Sequence, residues 1–276
     1  MIRHLKELIF KIPFIGKLFS ILRRVKIAKK YYRKKNQQIN TWILKNTELS
    51  NFYYHLTEQN TSYLISLLAT LTKSDNTLVK KYVEEITNND SLRNHIRFFY
   101  SGDKRMKDSS FGFGRRIGWY ALIRTLKPKI IVETGVDQGL GACVIAEAIK
   151  ANILEGFEGQ YFGTEINTNA GGLFNARYKI YGEIIYGDSI ETLKNFNKKI
   201  DLFINDSDHS SDYEYREYET ITNLISQNGW ILGDNSHACD SLWRFSNEQK
   251  RNFVFFQEEP LDHWYPGAGI GISFPK

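Results

Sequence analysis

The sequence predicts an α/β fold, a doubly wound, seven-stranded, mostly parallel sheet with an N-terminal helical extension. Two observations carry this reading. From Ile117 onward, short β-branched runs alternate with helical patterns, as in a parallel sheet covered by helices. From about 40 to 100 the apolar residues recur at helical spacing instead: Leu64, Leu67, Leu68 and Leu71, then Leu78, Tyr82, Val83 and Ile86, then Leu92, Ile96 and Phe99.

Each strand has its own local warrant. A helix from Trp119 to Leu126 must end before Pro128, and Lys129 to Thr134 is a β-branched run suited to a buried strand. The alanine-rich stretch Ala142 to Ala151 follows as a helix. Further strands are expected at Tyr161 to Ile166, Ile184 to Tyr186, Ile200 to Asn205 and Trp230 to Gly233, the first five separated by helices. Phe253 to Gln257 and Gly269 to Phe274 end the chain as a hairpin-like pair. Ser211-Asp212-Tyr213-Glu214 reads as a capping box for a helix running on to Asn228-Gly229.

Three segments result: 1–35, basic and amphipathic; 36–110, a helical cap; and 111–276, the main domain. The polar, glycine-punctuated stretch from Ser101 to Arg116 is a hinge or active-site loop between the last two. With 276 residues the chain suffices for one α/β domain plus an extension. Its 42% apolar and 14% aromatic content excludes a disordered chain. Cys143 and Cys239 lack CxxC spacing, so neither a disulfide framework nor a zinc knuckle is indicated, and a reducing cytoplasm is expected.

The net charge of +6 is concentrated at one end, because residues 1–35 hold twelve Lys/Arg against Glu7 alone. Ile2, Leu5, Leu8, Ile9 and Ile12 follow helical spacing until Pro13, and Leu18, Phe19, Ile21, Leu22 and Val25 resume it. Lys11, Lys17 and Arg23 break the apolar run, so it is too short to cross a bilayer, and no signal peptide is expected. The segment either lies on an anionic membrane face, each nearby basic residue contributing about 1 kcal/mol, or packs on the protein's own body. No motif points to nucleic acid.

The chemistry is expected beyond the carboxyl ends of the parallel strands. At the first end stands Glu133-Thr134-Gly135-Val136-Asp137-Gln138-Gly139-Leu140-Gly141, where glycines let bare backbone approach a ligand. Glu165 closes the second strand, where a carboxylate can accept both hydroxyls of a ribose. Asp188, in Gly187-Asp188-Ser189 after the third, can accept from the exocyclic amine of a base. Together these suggest adenosine, although each acid could also serve only as a helix cap.

Val132-Glu133-Thr134-Gly135 with Gly139, Glu165 and Gly187-Asp188-Ser189 resemble the successive cofactor motifs of class I S-adenosylmethionine-dependent methyltransferases, over roughly residues 111–276. The resemblance implies a Rossmann-like methyltransferase fold, with Glu133, Gly135, Gly139, Glu165, Asp188 and Asp206 at the cofactor. The fourth and fifth strand ends, Asn205-Asp206-Ser207-Asp208-His209 and Gly233-Asp234-Asn235, resemble those of metal-dependent O-methyltransferases of the catechol and caffeoyl-CoA type. By that likeness Asp206, Asp234 and Asn235 would ligate Mg2+, an ion suited to oxygen ligands. His209 matches the general base of macrolide-sugar O-methyltransferases, and with Asp206 forms the implied catalytic pair; the catechol type has a lysine in this loop. His237 is a reserve for either role.

The expected activity is methyl transfer to a hydroxyl of a sugar, other polyol or phenol, a small molecule or a glycan, in the cytoplasm or peripherally on the inner membrane face. Two other classes stay open. A nicotinamide-dependent oxidoreductase would call for GxGxxG, whereas the spacing here is Gly135-x-x-x-Gly139-x-Gly141. A non-catalytic membrane-associated scaffold would keep the fold without the activity.

Overall fold

The computed structural model describes residues 13–45, 54–100, 112–234 and 236–276. The helical pattern between Ile2 and Ile12, most of the loop between Ser101 and Arg116, and Asn235 lie outside the described residues.

The chain divides into two compact units, the first extending to residue 46 and including Asp262–Tyr265. In it, Pro13 opens helix α1 (Pro13–Tyr31) rather than merely ending an earlier pattern, since a first helical residue needs no N–H partner. Helix α2 (Arg33–Lys45) follows. Lys35 Nζ donates to the carbonyls of His263 and Tyr265 at 3.2 and 3.3 Å, and the Trp42 ring meets that of His263 edge-on at 5.8 Å.

The second unit begins with α3 (Glu58–Thr72), α4 (Asn76–Thr87) and α5 (Asp90–Phe99). Side chains of Thr57, Asp75 and Asn89 each accept from a first-turn amide, which satisfies donors that a helix start otherwise leaves free. Leu64, Leu68, Tyr82, Val83, Ile86, Leu92 and Ile96 are buried as the spacing predicts. Leu78 and Phe99 share the pattern yet remain 38% exposed. Helix α6 (Arg116–Leu126) lies against α3 and α4 and also against α7 (Leu140–Leu154). Both are buried along most of their length, as helices with few charges must be.

All seven expected strands are present: β1 (Ile130–Thr134), β2 (Gln160–Glu165), β3 (Gly182–Tyr186), β4 (Ile200–Asn205), β5 (Ile225–Gly233), β6 (Asn252–Gln257) and β7 (Gly269–Phe274). Their order is β3-β2-β1-β4-β5-β7-β6. The first five run parallel and β7 pairs antiparallel with both β5 and β6. Val132, Phe203 and Ile231 on neighbouring strands meet Tyr218, Ile221 and Phe245 from the helices in one core.

Three local expectations are corrected. Only a 3-10 turn, Lys179–Tyr181, separates β2 from β3, so the first five strands are not all separated by α-helices. Helix α9 (Ser211–Ile221), which follows the short α8 (Ser189–Lys194), stops well before Asn228-Gly229. Those two residues belong to β5, where the register with β4 shifts between Ile200 and Leu202. A Cβ at Gly229 would come within 2.8 Å of the Ile200 carbonyl oxygen, so this glycine serves a strand irregularity rather than a helix end. The capping box does not form either. Ser211 Oγ bonds to Ser241 Oγ at 2.9 Å, and buried Glu214 accepts from Tyr218 and Cys239.

At Gly141, near the start of α7, a Cβ would stand 2.1 Å from Glu133 Oε1 and 3.0 Å from the Trp119 ring. Gly141→Ala should therefore destabilise the protein by about 1–3 kcal/mol through overpacking. Thermal unfolding should show a lower midpoint; an unchanged midpoint would mean that Glu133 moves away without cost.

Candidate active site

Strand β1 sits between β2 and β4, the point where the chain, having built one side of the sheet, crosses to the other. The loops diverge there and leave a crevice. The hydrogen-bond ladder continues just past the strands: the amides of Gly135 and Gly187 donate to Thr164 and Glu165, those of Asp206 and Asp234 to Thr134 and Asn205, all at 2.8–2.9 Å. This aligns the first residue after four strands along one edge. A cavity of about 460 Å³ opens over it, a volume within the range of small-molecule sites.

Gly135, Glu165, Asp188, Asp206 and His209, five residues singled out from the sequence, line this cavity together. Gly135 has φ +79°, and a Cβ there would be 2.1 Å from the Asp206 carbonyl oxygen; only glycine fits on both counts. Glu165 accepts from the amides of Asp137 and Asn167, each at 2.8 Å, so its carboxylate is fixed in place by backbone. Asp188 accepts from the amide of Glu191 at 3.0 Å, capping α8, and from the Tyr213 hydroxyl at 2.8 Å. These two donors and the start of α8 hold its carboxyl below the usual range, although burial acts in the opposite direction. His209 is exposed on the cavity wall.

Glu133 and Gly139 do not line the cavity. Glu133 is buried and accepts from the Tyr161 hydroxyl at 2.5 Å; burial pushes its carboxyl up to about 8. Gly139, at φ +97°, turns the chain into α7.

The implied metal set does not fit. Both oxygens of Asp234 are taken by the guanidinium of Arg115, through Nε and Nη2, and Asp206 Oδ2 faces Arg116 Nη2 at 3.5 Å. Two cations already stand at the carboxylates that would need to be free for Mg2+. Among the described residues no group of three His, Cys, Asp or Glu could hold a metal ion, and Asn235 is outside them. A Mg2+ site at Asp206, Asp234 and Asn235 is therefore not shown among the described residues. His237 lines no part of this cavity.

Sequence reasoning missed Arg115, Arg116, Tyr213 and Glu217. The adjacent arginines after Gly112-Phe113-Gly114 were a visible signal. Tyr213 lies on the cavity wall, its hydroxyl between Asp188 and Ser189 Oγ. Glu217, fully buried on α9, accepts from Ser189, Ser207 at 2.6 Å, Asn205 and Thr134 at 3.4 Å. Burial raises its carboxyl to about 7, against the pull of those donors.

Residues 132–236 match a family model described as a methyltransferase domain. No curated protein matches the sequence. Among solved structures, the SAH-bound methyltransferase PaMTH1 of Podospora anserina is similar at 19% identity, with a TM-score of 0.51 over 83% of this chain and 100% of that one. An O-methyltransferase from Bacillus cereus in complex with SAH gives 14% and 0.53 over 77% and 100%. TomG from Streptomyces achromogenes, an O-methyltransferase of tomaymycin synthesis in complex with SAM, gives 12% and 0.52 over 80% and 100%. Such identities establish the fold alone. The chain therefore has the Rossmann-like methyltransferase fold, and the match to the methyltransferase-domain model runs from Val132 to Ser236 within it.

Two buried carboxyls make a pH prediction. A carboxyl raised in the folded state favours its protonated form there, so its stabilising effect is complete below the unfolded value of 4.5 and is lost as pH rises through the folded value. Stability should decline from about pH 4.5 towards 8. In denaturant titrations, Glu217→Gln should remove the part of the decline ending near 7 and Glu133→Gln the part reaching about 8. Slopes identical to the unmodified chain would refute the shifts.

Proposed function

We propose that the chain transfers a methyl group from S-adenosylmethionine to a hydroxyl oxygen of a small-molecule or glycan acceptor, such as a sugar, other polyol or phenol. The observation that carries this reading is that Glu165 and Asp188 share one cavity with the Gly135 turn at the sheet's switch point. S-adenosylmethionine supplies an electrophilic methyl on a sulfonium. Each Glu165 oxygen, having accepted one amide bond, keeps a lone pair for a ribose hydroxyl. Asp188 retains acceptor capacity for the base amine, beside the Tyr213 ring. Gly135 keeps side chains out of the path of the ligand.

His209 accepts the acceptor's proton while the oxygen–methyl bond forms and the sulfur–methyl bond breaks, and Asp206 on the same wall orients the hydroxyl. Alignment is the main requirement, since the displacement neutralises charge instead of creating it. An oxygen acceptor is favoured by the imidazole at this wall and by the O-methyltransferases among the similar folds. Isothermal titration should detect S-adenosylhomocysteine binding that Gly135→Val abolishes and Glu165→Ala weakens at least tenfold. Wild-type affinity in both variants would move the cofactor elsewhere, and binding of a nicotinamide dinucleotide in its place would favour the oxidoreductase.

We also propose that α1 rests on an anionic membrane surface, at the cytoplasmic face. Among the described residues no helix is long and apolar enough to cross a membrane. Yet Ile15, Leu18, Leu22 and Val25 recur at helical spacing and are exposed, Leu22 by 56%. Lys17, Arg23, Arg24, Lys26, Lys29 and Lys30 share the helix, and residues 13–45 contain no acid. An apolar stripe with basic neighbours suits acidic headgroups. In flotation assays the full chain should rise with phosphatidylglycerol vesicles and remain below with phosphatidylcholine, and Leu18→Asp with Leu22→Asp should abolish the association. Binding that ignores lipid charge and these substitutions would eliminate this role.

A further inference from the structure

We infer that Arg115 and Arg116 supply, as fixed positive charge, what a divalent cation would otherwise supply beside Asp206 and Asp234, so that this chain's methyl transfer runs without a metal ion. The inference deepens the proposed function and rests on it for its catalytic part. Its metal-binding part stands on the geometry alone.

Arg115 is built into the frame of the site. Its fork spans both Asp234 oxygens, the two-point geometry that makes arginine–carboxylate pairs strong and directional. On its other side, Nη1 lies 3.4 Å from Glu258 Oε2, and its backbone amide donates to Glu258 Oε1 at 2.6 Å. Glu258 in turn accepts from the Tyr54 hydroxyl at 2.9 Å and the Ala268 amide at 3.2 Å. The side chain of Asp234 is 1% exposed and that of Glu258 not at all. A metal ion at Asp234 would have to expel a guanidinium held on two sides and strand its charge in a buried place, which is strongly unfavourable.

Arg116 extends the pattern to the cavity. It faces Asp206 at 3.5 Å, both side chains being mostly buried, and its guanidinium lies 5.3 Å from the centroid of the Trp119 ring. Its Nε is buried without a hydrogen-bond partner among the described residues. A donor in that condition gains from an oxygen brought near it. A guanidinium also stays protonated throughout the working pH range, so it offers the steady positive field of a metal ion without needing one. Because Asp206 lines the cavity and Arg116 does not, Arg116 is a positioning residue, acting on the acceptor through Asp206.

The decisive experiment titrates Mn2+ into the full chain with S-adenosylhomocysteine present and follows free Mn2+ by electron paramagnetic resonance. No stoichiometric site is expected below millimolar Mn2+; one that appears and vanishes in Asp206→Asn overturns the inference, and this arm is readable even if no acceptor is ever methylated. Where methyl transfer is measurable, EDTA should leave the rate unchanged, and loss that Mg2+ restores would be equally fatal. Arg116→Gln should lower kcat at least tenfold with S-adenosylhomocysteine affinity unchanged, and Arg116→Lys should recover part of it. Full activity in Arg116→Gln would remove the positioning role.

Discussion

Glu217 imposes the constraint on which the rest depends. A carboxyl with no access to water must be surrounded by donors, and its donors come from three places: Thr134 at the end of β1, Asn205 and Ser207 around the end of β4, and Ser189 at the start of α8. Satisfying this one side chain on α9 therefore fixes the strand ends next to Gly135, Asp188 and Asp206. The cavity's walls are thus tied to one another from behind.

A second frame acts from the other side. Glu258, just beyond β6, is tied to Tyr54, to Arg115 at the start of α6 and to Ala268 before β7. The terminal hairpin, the segment leading into the helical layer and the first helix of the sheet domain consequently meet at one buried carboxylate. Leu56 and Pro260 add a β-bridge nearby. The helices from Glu58 to Phe99 belong to the same compact unit as the sheet for this reason as well as for their apolar contacts with α6.

Much of this was legible in the sequence, and the parts that were not share a cause. Parallel strands covered on both faces are largely apolar, which is why Ile130 to Thr134 and Ile200 to Asn205 stood out. Gly135, Glu165 and Asp188 could be located because residues at or just beyond the carboxyl end of a parallel strand have a known position. Long-range pairing left no local mark: Arg115 and Asp234 are far apart in sequence, and nothing near Asp234 announces that its oxygens are taken. Asn228-Gly229 reads as a helix end because glycine ends helices and also permits strand irregularities; the choice was made by packing against Ile200.

Glu133 shows how one motif position can serve a different end. It occupies the acidic position of the resembling motif, yet its carboxyl lies beneath the turn, paired with Tyr161 and lodged where Gly141 has no side chain. Its neighbours decide this. With a larger residue at 141 the same acid could not enter that space, so the glycine that makes the turn compact also draws the acid inward. What remains on the cavity side of this turn is bare backbone at Gly135 and the side chain of Asp137, with further acids contributed by later strands. Glu165, Asp188 and Asp206 therefore line the cavity along this edge, while the most recognisable acid of the motif supports the turn from below.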